Sequence, residues 1–434
     1  MIRAVSSSDT IFALATASGR AGVAIVRLSG TDSWKAVEAL TDRALGPLRQ
    51  LFLRRLSWKG EALDEALVAV FQEQASYTGE RMAELHLHGG VATVRSVLNA
   101  LDEVSGLRMA EPGEFTRRAL INERLDLVQA EALADLIDAE TEAQREQALA
   151  LMGGGGQEQA EIWRAHLVRA LALLEASIDF ADEEDAPEDV NEELLSLLRS
   201  LDSDLRDAIA ASKAGERIRD GYRVALIGAP NAGKSTLLNA VVGRQAAITS
   251  PIAGTTRDVI EVSCDFNGVP VVLQDMAGLR ETEEEIEKIG LARARERIDQ
   301  ADLRVLLRAP DAPDPVEVGA SGADVVVWNK SDISVGEGDL CISAKSGEGV
   351  SDFVELVVRV LSKREVVGAV FPRVRQIKHL EASLDEIGLA MESSVDELKS
   401  EHLRRAVHSL EALVGRVDVE HLLDEIFASF CLGK

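Results

Sequence analysis

The sequence predicts a multidomain protein of mixed α/β and α class, in which an α/β nucleotide domain is inserted into a helical domain. Three observations predict it. A Gly-x-x-x-x-Gly-Lys-Ser loop at 228–235 lies between an apolar strand and a helix, the context that a phosphate-binding loop requires. Apolar residues spaced three or four apart predict helices on both sides of that region. Alternation of apolar and polar residues near the amino terminus predicts the strands of an α+β domain.

Four segments follow from these patterns. We predict an α+β domain over 1–118, the first part of a helical domain over 119–215, the α/β nucleotide domain over 216–365, and the second helical part with a C-terminal tail over 366–434. An inserted domain is tolerated when its two ends lie close together. The flanking helices therefore read most simply as one interrupted domain.

Bulk composition excludes several function classes. The 434 residues carry a net charge of −27, which argues against broad nonspecific binding to nucleic acid or to anionic membranes, so any nucleic-acid contact needs a local basic patch or a partner. No apolar run reaches the roughly 18 residues of a spanning helix, and the amino terminus does not resemble a secretory signal. Cys264, Cys341 and Cys431 are too far apart for a zinc site or a disulfide framework. A cytoplasmic location is predicted.

Strands and one helix are predicted in the amino-terminal domain. The strands are Val23–Leu28, Leu63–Phe71 and Met82–His88, and the helix is Asp32–Leu40. In the last strand, His86 and His88 share a face with Glu84 because side chains alternate along a strand. A metal site is one interpretation of the two histidines. Surface or hydrogen-bonded histidines are the favoured one, since no third ligand lies within reach by sequence.

The helical segments are predicted from apolar stripes. Residues Phe115–Met152 are predicted to be helical, and the glycines at 153–156 to break that pattern. Four further stripes indicate bundle core. Their members are Trp163, Leu167, Leu171, Leu174 and Ile178; Leu194, Leu198, Leu201, Leu205 and Ile209; Leu380, Leu384, Ile387 and Met391; and Leu403, Val407, Leu410 and Leu413. The acidic run Asp182–Asp189 is predicted to be a solvated loop.

The nucleotide domain is predicted to consist of short apolar strands and flanking helices. The strands are Tyr222–Ile227, Val259–Phe266, Val269–Gln274, Leu303–Leu307, Val325–Trp328 and Leu340–Ile342, and the helices are Ser235–Val242 and Val350–Leu361. Asn267-Gly268 joins the second and third strands and is a strong hairpin signal.

Each residue type in the loop at 228–235 suits the binding of phosphate. Gly228 and Gly233 allow a tight turn whose N–H groups can face phosphate oxygens, and the helix start adds partial positive charge. Lys234 can reach the β- and γ-phosphates, and the Ser235 hydroxyl can bind Mg²⁺. A glycine-rich turn without a ligand is the alternative, which the flanking strand and helix disfavour.

Four further motifs predict which nucleotide the domain binds. They are Thr255-Thr256, Asp275-x-x-Gly278, Asn329-Lys330-x-Asp332 and Ser343-Ala344-Lys345, in that order. The first two suit the Mg²⁺ shell and the γ-phosphate. The Asp332 carboxylate can accept hydrogen bonds from N1–H and the 2-amino group of guanine, which adenine cannot offer, and the last motif can contact the guanine oxygen. We therefore predict a Ras-like GTPase domain; an ATP-driven helicase or transporter subunit conflicts with Asp332.

One expected residue is absent from the nucleotide domain. Ras-like enzymes place a glutamine after Asp-x-x-Gly to orient water, and here that position is Leu279. Either hydrolysis is very slow or another group supplies the function. The acidic segment Glu281–Glu287 offers candidates, although a charge run is usually a solvated face.

Eight segments spread along the chain match one known family. They are Asp9-Thr10-Ile11, Gly89-Gly90, Pro112-Gly113-Glu114-Phe115, Leu125-Asp126-Leu127, Ile178-Asp179-Phe180, Pro230–Ser235, Gly254–Asp258 and the terminal Phe430-Cys431-Leu432-Gly433-Lys434. Through these segments the whole chain resembles the family of tRNA-modification GTPases called MnmE or TrmE. The tail is the most discriminating, because other GTPases lack it.

The resemblance implies an activity and its partners. The family adds a carboxymethylaminomethyl or aminomethyl group at C5 of the wobble uridine, position 34, of certain tRNAs. It would act as a homodimer, and as a heterotetramer with MnmG, a partner that carries FAD and most of the tRNA surface. The one-carbon donor would be 5-formyl- or 5,10-methylenetetrahydrofolate, bound by the amino-terminal domain.

The resemblance also implies site residues. For GTP they are Asn231, Ala232, Gly233, Lys234, Ser235, Thr236, Ser250, Thr255, Thr256, Asp275, Gly278, Asn329, Lys330, Asp332, Ser343, Ala344 and Lys345. Ser235 and Thr256 would bind Mg²⁺; Asn231, Ser250, Ile252 and Thr255 would bind K⁺. Lys234 and Glu287 would be catalytic, with Glu287 orienting water through a bridge. Arg27, Glu84, Arg124 and Lys434 would contact the folate.

Three positions depart from the family pattern, and one alternative function stays open. Arg124 stands where lysine is expected, Ser250 where threonine is frequent, and Met276 where the pattern has threonine. Cys431 is either a buried terminal thiol or a nucleophile. The alternative function is a regulatory switch, such as a ribosome-assembly GTPase, that acts by binding a partner; the amino-terminal domain and the tail separate the two hypotheses.

Overall fold

The computed structural model describes residues 9–41, 43–179, 188–244, 260–275, 295–312, 322–362, 371–417 and 433. The chain divides into two compact units. One comprises 1–134, 157–191 and 392–434, and the other comprises 135–156 and 192–391. The domain boundaries expected from the sequence stay a prediction. Within the described ranges, no helix combines the length and the apolar character needed to cross a membrane.

The first unit begins with a six-stranded sheet. Its strands are β1 Thr10–Leu14, β2 Val23–Ser29, β3 Phe52–Trp58, β4 Glu61–Phe71, β5 Met82–His88 and β6 Leu107–Met109, in the order β3-β4-β5-β2-β1-β6. All neighbours are antiparallel except β1 and β6. Helices α1 Ser33–Thr41 and α2 Val91–Asp102 pack on one face. Alternation leaves the opposite face of β2 and β5 to the polar side chains of Arg27, Glu84 and His86.

The helical pattern expected over 115–152 is divided among three helices. They are α3 Glu114–Ile121, α4 Leu127–Asp138 and α5 Glu142–Met152. Glu123 takes a left-handed φ of 55° between the first two. Thr141 caps α5 through a reciprocal pair of hydrogen bonds with Gln144, which satisfies backbone donors at a helix start. Local capping therefore outweighs the continuous apolar periodicity.

Two long helices and two C-terminal helices complete the helical regions. They are α6 Gly155–Asp179, α7 Glu188–Asp220, α10 Val374–Glu392 and α11 Asp396–Leu413; the nucleotide domain contains α8 Lys234–Arg244 and α9 Val350–Ser362. The predicted stripe of α7 is wholly buried, from Leu194 to Ile209. In the first unit, α6 and α11 are joined by an ion pair between Arg164 and Glu411 at 2.9 Å.

The nucleotide domain has the strand order of a Ras-like fold. Its strands are β7 Tyr222–Gly228, β8 Ile260–Phe266, β9 Val269–Asp275, β10 Leu303–Arg308, β11 Val325–Trp328 and β12 Leu340–Cys341, in the order β12-β11-β10-β7-β9-β8. Only β8 runs antiparallel. Helices α8 Lys234–Arg244 and α9 Val350–Ser362 pack on the sheet around a core that includes Leu226, Val305 and Phe353. The predicted fold class is confirmed.

Candidate functional site

The phosphate-binding loop joins β7 to α8 at the carboxyl end of the sheet. Gly228 has a φ of 152°, and a Cβ there would lie 2.5 Å from the Leu307 carbonyl oxygen of β10. Gly233 has a φ of 94°, and a Cβ there would overlap Nδ2 of Asn329. Both glycines therefore have a conformational and a steric cause. The tight backbone that results, followed by the start of α8, is a shape that binds phosphate.

Lys234 is held over this loop by the loop's own carbonyl groups. Its Nζ donates to the carbonyl oxygens of Gly228 at 2.8 Å and Ala229 at 3.2 Å, and the residue is buried. Burial lowers the pKa of the ammonium, and the nearby Asp275 carboxylate works in the opposite direction. The cationic head therefore lies beside the backbone that would surround the phosphates.

Ser235 and Asp275 form an oxygen pair that fits a magnesium ion. Ser235 Oγ donates to Oδ2 of Asp275 at 2.5 Å. Asp275 is 1% exposed, and no group in the described ranges donates to its Oδ1. A buried carboxylate oxygen without a donor is costly. A hard cation with oxygen ligands would satisfy it.

Asn329 links the phosphate-binding loop to the loop that follows β12. Its Nδ2 donates to the Ala232 carbonyl oxygen at 2.8 Å, and its Oδ1 accepts from the Ala344 N–H at 3.0 Å. The side chain is 2% exposed, so both hydrogen bonds are sheltered from water. Asn329 was among the predicted GTP-binding residues, but this bridge between two loops was not predicted, because only the fold brings the loops together.

Asp332 is exposed and oriented by a neighbouring hydroxyl. Ser343 Oγ donates to its Oδ1 at 2.6 Å. A carboxylate offers about four lone-pair positions, so Asp332 retains acceptors for the paired N–H donors of a base. Lys330, in a left-handed backbone conformation, donates to both carboxylate oxygens of Asp311 at 2.7 Å. The roles of the Ser343 hydroxyl and of Asp311 were missed, since no spacing rule connects them to the motif.

Several predicted site residues lie outside the described ranges. They are Ser250, Ile252, Thr255, Thr256, Gly278, Glu287 and Lys434. Asn231, the one described member of the predicted potassium set, is exposed with a φ of 69°, a conformation that asparagine tolerates better than most residues. Thr236 and Lys345 are exposed. The potassium site and the catalytic role of Glu287 remain predictions.

A second group of predicted site residues lies on the amino-terminal sheet. Arg27 of β2 stands opposite Glu84 of β5, and its Nε and Nη2 reach Glu84 Oε1 at 3.1 and 3.0 Å. The guanidinium carbon is 5.4 Å from the ring centroid of Tyr77 and 5.8 Å from that of Phe115. Such cation–π packing favours a charged, fixed guanidinium. Neither aromatic residue was assigned to this site from the sequence, because both come from segments outside the two strands.

The two histidines of β5 have carboxylate neighbours. His86 Nε2 is 3.4 Å from Glu84 Oε2, and His88 Nδ1 is 2.7 Å from Asp64 Oδ1. Among the described residues, no group of three or more His, Cys, Asp or Glu side chains is arranged as metal ligands. The geometry thus pairs each histidine with one carboxylate.

Arg124 lines a cavity of about 600 Å³ in the first unit. The other lining residues are Leu120, Glu123, Leu125, Asp126, Gln129, Gln157, Val414, Gly415 and Arg416. This volume lies within the range of small-molecule sites. The same arginine borders the loop that carries Tyr77, since a Cβ on Gly79 would lie 3.2 Å from Arg124 Cγ. Arg124 is therefore close to the loop beneath Arg27.

Comparison with known families decides the assignment. The family profile described as the MnmE helical domain matches residues 127–431, and that of the amino-terminal domain of the GTP-binding protein TrmE matches residues 10–124. The chain belongs to the MnmE family of tRNA modification GTPases. Membership confirms the predicted family and the predicted enzyme class, a GTPase of tRNA modification.

Individual relatives of this MnmE-family chain match along their whole length. The tRNA modification GTPase MnmE of Cereibacter sphaeroides (strain ATCC 17029) is 54% identical over 98% of this chain and 100% of the relative. That of Ruegeria pomeroyi is 50% identical over the same shares. The G domain of the T. maritima FeoB iron transporter is 24% identical, with a TM-score of 0.25, over 32% of this chain and 97% of that one.

Proposed function

We propose that this chain hydrolyses GTP to support the addition of an aminomethyl or carboxymethylaminomethyl group at C5 of the wobble uridine of certain tRNAs. The observation that carries the GTP part is the bridge of Asn329, which fixes the phosphate-binding loop to the loop that orients Asp332 through Ser343. One side chain thus sets the distance between the phosphate and the base positions. The carboxylate of Asp332 favours guanine over adenine.

The chain's own residues divide the work on the nucleotide. Backbone N–H groups of the loop and the start of α8 hold the phosphates, and Lys234 neutralises charge on them. Ser235 and Thr256 would hold Mg²⁺, with Asp275 acting through water, and the ion would supply charge stabilisation when bound. The Lys234 ammonium already donates hydrogen bonds to the carbonyl oxygens of the loop. A phosphate oxygen that binds there therefore replaces only neutral carbonyl acceptors.

Potassium dependence is part of the proposal. Leu279 stands where Ras-like enzymes have their water-orienting glutamine, so another group must act, and Glu287 is our candidate. Asn231, exposed on the phosphate-binding loop, offers a side-chain oxygen for K⁺, which supplies positive charge beside the phosphates when bound. Hydrolysis rates in K⁺ and in Na⁺ test this part: a large excess in K⁺ is expected, and equal rates would refute it. Glu287→Ala should bind GTP normally and lose hydrolysis.

A tetrahydrofolate derivative is the proposed one-carbon donor. Support comes from the Arg27–Glu84 pair on the aromatic rings of Tyr77 and Phe115, and from the cavity beside Arg124. A carboxylate suits pterin N–H donors, and guanidinium groups suit the glutamate tail. Calorimetric titration with 5-formyltetrahydrofolate should show binding that Glu84→Gln weakens, with Glu65→Gln on the exposed surface of β4 as the control.

We further propose that the chain acts in the cytoplasm as a homodimer and in a heterotetramer with an FAD-bearing partner of the MnmG type. A net charge of −27 favours a division in which the partner supplies most of the tRNA surface. The decisive test measures wobble nucleosides in strains with and without this gene. Loss of the C5 modification is expected; intact nucleosides together with no folate binding would favour the regulatory switch instead.

A further inference from the structure

Trp328 is the last residue of β11 and immediately precedes Asn329. Val325 and Val327 of the same strand belong to the core beneath α8 and α9, and side chains alternate along a strand. The indole of Trp328 therefore lies on the other face of the sheet, where it is partly buried. Its N–H donates to the Ser334 carbonyl oxygen at 2.8 Å. The end of the strand is thus bonded to the loop that leads away from it.

This loop folds back on the indole and on β11. A Cβ on Gly336 would overlap Cδ2, Cε2 and Cζ2 of the Trp328 ring. A Cβ on Gly338 would lie 2.9 Å from the Val326 carbonyl oxygen and 3.3 Å from the Trp328 backbone nitrogen. Alternate residues of the loop, Ser334, Gly336 and Gly338, therefore approach Trp328 in succession. The two glycines fit there because they have no side chain.

Asp332 lies in a tight turn that is connected to Trp328 at both ends. The turn begins at Lys330, whose carbonyl oxygen accepts from the N–H groups of Ile333 at 2.9 Å and of Ser334 at 3.2 Å. It starts two residues after Trp328 and ends at the residue to which the indole N–H donates. Ile333 is 66% exposed, so its apolar side chain adds little packing. Hydrogen bonds rather than packing therefore hold this turn.

We propose that Trp328 is a positioning residue for guanine recognition, because its indole N–H holds the end of the turn that carries the Asp332 carboxylate. Hydrogen bonds weaken steeply when their geometry is lost, so a turn that moves loses its contacts to N1–H and to the 2-amino group together. The Ser343 hydroxyl orients the carboxylate, and the indole fixes the backbone beneath it. The inference rests on the proposed base site and adds a residue outside the motifs that predict the nucleotide.

Trp328→Phe tests the inference, because phenylalanine keeps an aromatic ring and lacks the N–H donor. Trp58→Phe is its matched control. The Trp58 indole N–H donates to Glu103 Oε2 at 2.7 Å in the amino-terminal domain, so the same substitution removes a similar hydrogen bond elsewhere. Gly336→Ala keeps the indole but displaces it. Its control is Gly322→Ala, since a Cβ on Gly322 would have no neighbour within 4 Å.

The readout is the ratio of the affinities for guanosine diphosphate and inosine diphosphate, each measured by calorimetric titration. The inosine base keeps N1–H and lacks the 2-amino group, so this ratio reports the contacts that Asp332 makes with the base. The melting temperature reports whether each variant is folded. A loss of stability alone would change both affinities by the same factor and leave their ratio unchanged.

Trp328→Phe should reduce the preference for guanosine diphosphate by about twofold to tenfold, the range that one hydrogen bond covers. Gly336→Ala should act in the same direction, and both controls should keep the wild-type ratio. A wild-type ratio in folded Trp328→Phe would overturn the inference; where that variant does not fold, the ratio in Gly336→Ala decides. Equal binding of the two nucleotides by the wild type would instead refute the proposed base site, and this inference with it.

Discussion

Gly233 and Asn329 should show strong thermodynamic coupling although they are far apart in sequence. Gly233→Ala places a methyl group on Nδ2 of Asn329 and imposes a residue with a Cβ on a φ of 94°. Asn329→Ala removes the amide that the methyl group would overlap. The two substitutions therefore affect one contact from its two sides, and the second should relieve the steric part of the first.

The magnitudes follow from the contacts. A left-handed backbone costs a non-glycine residue about 1–2 kcal/mol. Displacing the Asn329 amide breaks its hydrogen bonds to the Ala232 carbonyl and the Ala344 N–H, and a buried group left without a partner costs about 1–3 kcal/mol. We expect the free energy of unfolding to fall by about 3–6 kcal/mol in Gly233→Ala and by about 2–4 kcal/mol in Asn329→Ala. In the double variant it should fall by only about 3–6 kcal/mol, because the same hydrogen bonds cannot be lost twice.

Urea denaturation followed by intrinsic fluorescence measures these free energies of unfolding, with GTP affinity as a second readout. Asn239→Ala is the control, since Asn239 is exposed on α8 and alanine favours a helix. A double variant that loses the full sum of the single losses would refute the reasoning. Additive losses would mean that the methyl group introduced at position 233 does not contact the side-chain amide of Asn329.

Three further predictions concern single side chains. Asp332→Asn should lower GTP affinity by about tenfold to a hundredfold and raise affinity for xanthosine triphosphate, whose C2 carbonyl can accept from the new amide; competition binding measures both, and unchanged preference would exclude Asp332 from the base site. Ser235→Ala removes the donor to Asp275 Oδ2, so the enhancement of GTP affinity by Mg²⁺ should shrink in titrations with and without the ion. Burial raises the pKa of the Cys264 thiol to about 11. The thiol should therefore resist iodoacetamide in the native protein at pH 8, and rapid labelling of native Cys264, detected by mass spectrometry, would contradict this expectation. The free energy of unfolding of the domain should also fall as pH rises from the unfolded pKa of 9.0 towards 11.

The nucleotide domain was the most predictable part of the chain because its signals are local. β7, β10 and β11 begin at the predicted residues, and Asn267-Gly268 forms the turn between β8 and β9 with φ values of 54° and 93°. In the amino-terminal domain, β1, β3, β6 and α2 were not predicted. β6 has only three residues, and in β3 the apolar Leu53 is on the exposed side while Arg54 is half-buried, so the sequence does not alternate as a half-buried strand should. Helix α2 contains three valines, which resemble a strand in composition.

The candidate sites were predictable as motifs but not as contacts. The loop at 228–235 and the Asn329–Asp332 motif follow from spacing, whereas the reach of Asn329 across to Ala232 depends on the order of the strands. On the amino-terminal sheet, the resemblance supplied Arg27 and Glu84, and the register of β2 and β5 brings them together. Tyr77 and Phe115 come from other segments, so no periodicity within one element could place them beneath Arg27.

Within the second unit, the first turn of α5 is hydrogen-bonded to the residue before β9 and to the last turn of α7, which precedes β7. The Ala143 N–H donates to the carbonyl of Gly268, immediately before β9, at 3.1 Å, and Gln144 Nε2 donates to the carbonyl of Arg219, just before β7, at 2.9 Å. β9 ends at Asp275 and β7 ends at Gly228. The capping box satisfies backbone donors at the start of α5. A change in the distance between Gly268 and Arg219 would therefore strain at least one of these two hydrogen bonds.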